Sequence, residues 1–367
     1  MISLIIFLST TVFFSISLLV LVLPLVVFRE TFFLKNKITF NKNELTGYLI
    51  LFLSSIFIIF FNIFLGPVIG NIKEGSVLGD IPYILLIPFA FLIGKFLNQK
   101  DLRILKYIII IEIVVGVFEY ISGVPTFFKN NTPITELADS DILYQKRVFG
   151  FSPNSSTLAA KIIYLSVIVM MEVKKFNKIS SENFVFIFFI LIGLFVTFNR
   201  TAIISIFLSL LILFGMKWRS LILLTTPAIL IVFIKWDTIA EQLTRGRGSV
   251  DLSGRDQIFA YFFNFFSENL LLGNVGTKLW WNSAGFVWHS HNSYLEFLAS
   301  NGLLTTLIFA FGMFFLFRKN IVITLPILIF SCFQYGFLWG LSFYDIIFSA
   351  VIYNYALKYN EMKGGFK

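Results

Sequence analysis

The only two histidines of this chain, His289 and His291, stand two residues apart in the stretch HSHNSYLE, just before an apolar run. The polar segment that precedes them also carries Arg245, Arg247 and Arg255. An imidazole can accept a proton near neutral pH, and guanidinium groups bind phosphate oxygens through paired hydrogen bonds. A proton acceptor beside fixed positive charge predicts an active site for a phosphate-linked substrate at the end of this segment.

Charged residues inside or beside apolar runs form a second group of candidates. Arg200 in TFNRTAII lies between two apolar runs with almost no loop. Because intramembrane charge is expensive, we expect it to face a partner, a cavity or a phosphate, unless it snorkels to the outer interface. Arg147 in KRVFGFSPNSS precedes another apolar run, and alone it would be an ordinary loop arginine. Lys161, within that run, either joins an anion site or snorkels outward. Glu112 and Glu119 share one helix face, where contacts between helices are favoured over a proton relay.

The histidine pair has competing interpretations. A His-x-His pair can supply two zinc ligands, and Glu296 could be the third, but no HExxH motif or cysteine partner accompanies them. His289 is favoured to have a structural role, as a hydrogen-bonding group in the loop. His291 is favoured as a functional base once the arginines and the following helix are considered with it.

Composition decides the class of protein. The chain is 57% hydrophobic and 13% charged, with a mean hydropathy of +0.87, which excludes an ordinary soluble globule. We therefore predict an all-α polytopic membrane bundle, with residues 1–367 as a single membrane domain. A spanning helix needs about 20 apolar residues, and about eleven runs qualify. The predicted helices are 2–28, 45–65, 81–98, 104–122, 155–171, 184–199, 201–216, 219–234, 293–317, 321–340 and 342–357.

The distribution of charge predicts the topology. The net charge of +9 comes largely from basic clusters in alternate loops, which indicates cytoplasmic loops and not a nucleic-acid partner. The N-terminus then lies outside, and no cleaved signal peptide is expected. Three outer segments follow, 66–80, 123–154 and 235–292, of which the last is a large loop. Cys332 is the sole cysteine, so no intrachain disulfide can brace these loops.

The large outer loop contains a predicted helix. The sequence SGRD at 253–256 has the form of a helix cap with Ser253 as the N-cap residue. A helical apolar stripe follows, which predicts an interfacial helix lying on the membrane with Arg255 in its first turn, near the level of lipid phosphates. The stripe consists of Ile258, Phe259, Phe262, Phe263 and Phe266.

Four stretches resemble the O-antigen polymerase and O-antigen ligase superfamily of bacterial polysaccharide assembly. They are RVFGFSPNSSTLAA at 147–160, TFNRTAIISI at 197–206, GRDQIFAYFFNFFSENLLLGNVG at 254–276 and HNSYLEFLASNGLL at 291–304. The span from 147 to 317 covers under half of the chain, and the last stretch is the most specific. The N-terminal helices resemble the family only in being hydrophobic.

The resemblance implies a glycosyltransferase that needs no metal or other cofactor. It would act at the periplasmic face of the bacterial cytoplasmic (inner) membrane on an oligosaccharide linked to undecaprenyl diphosphate. His291 would accept the proton of the attacking hydroxyl, and Arg147, Arg200 and Arg255 would bind the diphosphate. Asn292 and Glu296 would orient His291 or the sugar. The implied partners are the lipid-linked oligosaccharide, membrane lipid and a polysaccharide chain-length regulator, with no nucleic acid.

Several functions stay open at this stage. A polymerase would pass the glycan to another lipid-linked repeat unit, whereas a ligase would pass it to lipid A core, and the compact chain favours the polymerase. A transporter of lipid-linked sugars would show ionisable residues along a central path and paired broken helices. A membrane scaffold would leave the histidine and arginine cluster without a purpose.

Overall fold

The computed structural model describes residues 2–14, 16–33, 39–69, 83–128, 147–176, 179–214, 255–283 and 286–364. This part of the chain is mainly helical, with one two-stranded hairpin. The helices are α1 (Ile2–Leu8), α2 (Val22–Phe28), α3 (Lys42–Leu65), α4 (Leu86–Phe96), α5 (Gln99–Ile121), α6 (Ser155–Phe176), α7 (Ser181–Thr197), α8 (Arg200–Phe214), α9 (Arg255–Glu268), α10 (Ser293–Phe317), α11 (Leu325–Phe330) and α12 (Phe343–Gly364). The antiparallel strands are β1 (Trp281–Ser283) and β2 (Phe286–Trp288).

Three of these helices, α3, α6 and α10, are long and apolar enough to cross a membrane by length and composition. Shorter apolar helices accompany them at Leu19–Phe28, Tyr83–Phe96, Ser181–Thr197, Arg200–Leu213 and Ile321–Phe330. The predicted all-α class is confirmed for the described residues, and the count of about eleven spans is not. The predicted helix 219–234 lies outside the described residues, as do Ser253, Arg245 and Arg247.

Two of the predicted helices are not continuous, because the chain breaks within them. In the run 2–28, α1 ends at Leu8 and a 3₁₀ segment, Ile16–Leu21, precedes α2. Hydroxyl groups at the break donate to carbonyls three residues earlier, which competes with helix continuation; the donors are Ser9, Thr10 and Thr11. In the run 321–340, α11 ends at Phe330 and turns occupy 331–342.

Glycines allow the longest helices to approach closely. Gly47 on α3 faces Gly312 on α10, where a Cβ on Gly47 would lie 2.7 Å from Leu316 Cγ. At the contact between α4 and α12, a Cβ on Gly94 would lie 2.3 Å from the carbonyl oxygen of Ile346. Small residues of this kind bring helix backbones together in membranes, where van der Waals packing replaces the hydrophobic drive between helices.

Helix α10 is kinked at Gly302, whose φ of 72° and ψ of 171° are not helical. The kink frees backbone groups, and the segment 270–276 hydrogen-bonds to them. The amides of residues 274 and 276 donate to the carbonyls of residues 299 and 300 at 2.9 and 2.8 Å, and the amide of residue 303 donates to the carbonyl of residue 270 at 2.8 Å. The segment after α9 is thereby fixed to a candidate spanning helix.

We predict that Gly302→Ala unfolds at a clearly lower temperature than Gly66→Ala. Both glycines have nearly the same backbone angles, a region that costs about 1–3 kcal/mol for other residues. Only at Gly302 would the new Cβ also meet a backbone oxygen, that of Leu271 at 2.3 Å; at Gly66 it meets no described atom within 4 Å. Thermal unfolding of the purified variants in detergent checks this. An equal decrease of the unfolding temperature in the two variants would show that the segment 270–276 makes no close contact with the kink.

Candidate active site

The candidate base lies in a short connection, residues 289–292, between strand β2 and helix α10. The hairpin pairs Trp281 with Trp288 across its two strands. The residue directly before His289 is therefore held by strand pairing. At the other end, the Asn292 side chain caps α10 by accepting the amides of Tyr294 and Leu295, each at 3.0 Å. The predicted supporting residue Asn292 therefore fixes where the helix starts, directly after His291.

Hydrogen bonds on both sides hold His291 in an unusual backbone conformation. Its φ is 53°, in the left-handed region that residues with a side chain seldom adopt. The hydroxyl of the buried Ser290 donates to the Asn292 carbonyl at 2.5 Å and accepts the Asn292 amide at 3.1 Å. The His291 amide donates to Nδ1 of His289 at 3.2 Å. This last contact agrees with the structural role predicted for His289.

Glu296 anchors the same turn from inside helix α10. Its side chain is fully buried, and its Oε2 accepts the amide of Ser290 at 2.9 Å. Its Oε1 lies 3.2 Å from Nζ of Lys278. In the zinc interpretation Glu296 could be the third ligand; here one of its oxygens accepts the Ser290 amide and the other faces Lys278. No group of three His, Cys, Asp or Glu side chains suited to a metal occurs among the residues that the structure describes.

The environment of His291 keeps its imidazole neutral. The pKa of His291 is lowered from 6.5 to about 4, mainly by burial and also by the positive charge of Arg255, while a hydrogen bond with Gln334 partly offsets both effects. Its Nδ1 is buried without a hydrogen-bond partner among the described residues. Since the folded pKa lies below the unfolded value, protonation opposes folding, and stability falls as the pH drops from about 6.5 to about 4.

Helix α9 brings Arg255 to this histidine. Arg255 is the first residue of the helix, as predicted. Among the three predicted arginines, it is the one whose charge acts on the pKa of His291. The buried face of α9 packs against Ala299 of α10 and consists of Ile258, Phe262 and Phe265. Of the predicted stripe, Ile258 and Phe262 belong to this face, and Phe263 is 59% exposed.

Arg200 and Arg147 lie together at a different helix junction. Phe198 adopts a left-handed conformation that ends α7, the Asn199 side chain accepts the amide of Ala202 at 3.0 Å, and α8 begins at Arg200. The connection between the two apolar runs, with almost no loop, is therefore as predicted. The amide of Val148 donates to the carbonyl of Val196 at 3.3 Å, which brings the segment that starts at Arg147 to the same junction. Both arginine side chains are partly buried.

The turns at 331–342 lie between helix α6 and the start of α10. The Tyr164 hydroxyl of α6 donates to the carbonyl of Gly336 at 2.8 Å. The Ser293 hydroxyl at the start of α10 accepts the amides of Gly336 and Phe337, each at 3.2 Å. Helix α11, which precedes these turns, packs against α8. Helices α6 and α8 thus contact helix α11, and the turns after it contact α6 and the start of α10.

Lys161 does not snorkel outward, which corrects one of the two alternatives. The side chain is fully buried, and its ammonium lies 3.0 and 2.9 Å from the two oxygens of the equally buried Glu112. Ser152 also donates to Glu112, at 2.7 Å. Glu119 accepts the amides of Phe127 and Gly150, at 3.0 and 2.7 Å. Glu112 therefore makes the predicted contact between helices, whereas Glu119 binds amides outside the helices, and the charge of Lys161 is already matched within the protein.

Neither a family model nor a curated protein matches this chain. The resemblance to the O-antigen polymerase and ligase superfamily consequently rests on the four sequence stretches. In the structure, these stretches meet in pairs. The stretches 254–276 and 291–304 hydrogen-bond to each other at the α10 kink, and the start of 147–160 hydrogen-bonds to the end of α7, where 197–206 begins.

Two residues near His291 had no signal in the sequence. Gln334 hydrogen-bonds to the His291 imidazole from the turns after α11, a region predicted to be part of a span. Lys278 lies in GTKLWW, two residues beyond the third stretch of resemblance. Only its position just before Trp280 and Trp281 could have drawn attention to it.

We predict that His291 titrates near pH 4 and that Arg255→Gln raises this midpoint, because a positive charge that opposes protonation is removed. With two histidines in the chain, NMR of histidine-labelled protein in nanodiscs gives two imidazole titrations, and a His289→Asn variant assigns them. Arg103→Gln is the control, since Arg103 pairs with Glu182 at 2.9 Å and is 60% exposed. A wild-type midpoint near 6.5, or no change in Arg255→Gln, would contradict the described environment.

Proposed function

We propose that this chain is a membrane glycosyltransferase that elongates a polysaccharide by transferring a lipid-diphosphate-linked glycan to another lipid-linked repeat unit. The observation that carries the proposal is a neutral, buried histidine held on a braced turn beside Arg255, at the start of a candidate spanning helix. Such a group can accept a proton at neutral pH next to a charge that attracts phosphate.

In the proposed reaction, the acceptor hydroxyl loses its proton to His291 as its oxygen attacks the anomeric carbon. The bond between that carbon and the diphosphate breaks, and the diphosphate leaves with the electron pair. Guanidinium groups of Arg255, Arg200 and Arg147 stabilise the negative charge that develops on it. No metal enters this sequence, because the arginines carry out the charge stabilisation that a cation would otherwise supply.

The chemistry assigns a separate task to each helix junction. Arg255 stands beside the base, whereas Arg147 and Arg200 are at the connection between α7 and α8. We place the diphosphate between these two groups, with the anomeric carbon toward His291. Lys161 has no part in this clamp because its charge is matched by Glu112.

We extend the proposal to topology and location. Basic loops on alternate connections favour about eleven spans with the segment 235–292 on the outer face. The chain would then act in the bacterial inner membrane with its site on the periplasmic side, where undecaprenyl-diphosphate-linked repeat units and a chain-length regulator are the expected partners. Helix α9 would lie at the level of lipid phosphates.

A transporter of lipid-linked sugars is the second candidate, and two observations favour it. The pair Lys161–Glu112 is ionisable and fully buried, and α10 is broken at Gly302; both features occur along transport paths. Exchange of labelled lipid-linked sugar across sealed vesicles, without any change in glycan length, would support this candidate over the transferase.

We predict that the purified protein, in the presence of a chelator, converts its undecaprenyl-diphosphate repeat unit into a ladder of longer glycans on a gel. His291→Ala should abolish the ladder, because the acceptor hydroxyl then lacks its base. An unchanged ladder would remove His291 from the mechanism. Product that forms only after lipid A core is added would identify a ligase, and the absence of product under both conditions would favour the transporter.

We predict that Arg200→Lys lowers transfer by at least about tenfold, since lysine keeps the charge but loses the planar fork that binds two phosphate oxygens. Arg103→Lys is the matched control, because Arg103 also makes a two-point contact, with Glu182, at an exposed site. It should retain wild-type activity. Full activity in Arg200→Lys would favour the snorkelling interpretation of Arg200.

A further inference from the structure

Glu296 is a buried carboxylate whose negative charge must be neutralised inside the protein. Its carboxylate is fully buried one turn into α10, and Lys278 is the cation beside it, 3.2 Å away. The contact lacks the alignment of a hydrogen bond, so the two groups interact as an ion pair. Removal of one partner from a buried pair leaves an uncompensated charge, which is strongly unfavourable.

Aromatic rings fix the ammonium of Lys278 in place. It lies 4.6 Å from the centroid of the Trp280 ring, 4.3 Å from that of Tyr335 and 4.0 Å from that of Trp339. Trp339 is itself held by a hydrogen bond from its Nε1 to the Tyr335 carbonyl, at 2.8 Å. Ring faces attract cations and replace water around them. The side chain of Lys278 is 17% exposed, so the cage is nearly closed.

The second oxygen of Glu296 connects the Lys278 site to the turn that holds the candidate base His291. It accepts the amide of Ser290, the residue directly before His291. Ser290 in turn bridges over His291 through its two hydrogen bonds with the backbone of Asn292. A carboxylate that moved away from Ser290 would release the left-handed turn at His291.

We propose that Lys278 is a positioning residue: by neutralising Glu296 it keeps that carboxylate on the Ser290 amide and so holds the His291 imidazole in its working orientation. Its importance for the reaction rests on the function proposed above, whereas the geometric claim does not. Lys278 does not contact the diphosphate, because its charge is already paired with Glu296 and enclosed by three rings.

The test compares Lys278→Met, Lys278→Arg and the double variant Lys278→Met with Glu296→Gln. Lys278→Met leaves Glu296 unpaired, so the His291 imidazole signal should shift or broaden in the NMR spectrum. In the double variant, the neutral amide can still accept the Ser290 amide through its side-chain oxygen, so the wild-type signal should return. Lys278→Arg should stay close to wild type. Lys319→Met, at an exposed lysine, is the control for loss of one positive charge.

The glycan assay supplies a second readout. Lys278→Met should lower kcat by at least about tenfold with little change in KM, since a misplaced base loses rate more than binding, and the double variant should recover most of it. Recovery of the signal without recovery of kcat would show that Lys278 contacts substrate and would overturn the positioning role. An unperturbed His291 signal in Lys278→Met would overturn it as well.

The outcomes separate this inference from the proposed function. If the wild-type protein makes no glycan, the function fails, and the NMR comparison still decides the role of Lys278. If Lys278→Met does not fold, the double variant must fold and give the wild-type His291 signal. A double variant that is unfolded, or that has a perturbed signal, contradicts the proposal.

Discussion

The kink of α10 at Gly302 is the constraint on which the candidate site depends. Backbone groups that leave a helical ladder inside a membrane protein must find other partners, because hydrocarbon offers none. Here the partners are amides and carbonyls of the segment 270–276. The residues that hydrogen-bond to the kink also connect α9 to the hairpin. These hydrogen bonds therefore help to position both Arg255 and His291. A glycine is required at the crossing because a Cβ there would meet the Leu271 oxygen.

Buried carboxylates organise the loops around this interlock. Glu119 accepts the amides of Phe127 and Gly150, and Asp345 accepts those of Leu338 and Trp339 at 2.8 and 2.7 Å. Glu296 does the same for Ser290. In each case a helix presents an acceptor to a turn that has no ladder of its own. These hydrogen bonds fix the backbone of the turns. A site built from such turns can hold a side chain in a defined orientation.

The sequence was sufficient for the features that depend on composition and local capping, and insufficient for those that depend on distant partners. Hydropathy identified α3 and α10, and the polar residues of TFNR indicated the short connection that precedes Arg200. Hydropathy could not reveal the break after Leu8 or the turns at 331–342, because a window average does not register hydroxyl-to-carbonyl bonds or a carboxylate that captures two amides. The partner of Lys161 is 49 residues away in the chain. Lys278 contacts Glu296, Tyr335 and Trp339, and no local sequence pattern connects it to these residues.

The low pKa of His291 poses a chemical question, since a base that weak removes a proton from a sugar hydroxyl inefficiently. Two causes depress it, burial and the charge of Arg255, and a bound anion would act on the second. A diphosphate against Arg255 would cancel that charge, so the imidazole would become a stronger base once the donor is in place. Without donor, the histidine stays neutral but weak. The proposed transferase would thus activate its base with the same anion that later departs as the leaving group, which ties removal of the acceptor proton to the presence of a glycan ready for transfer.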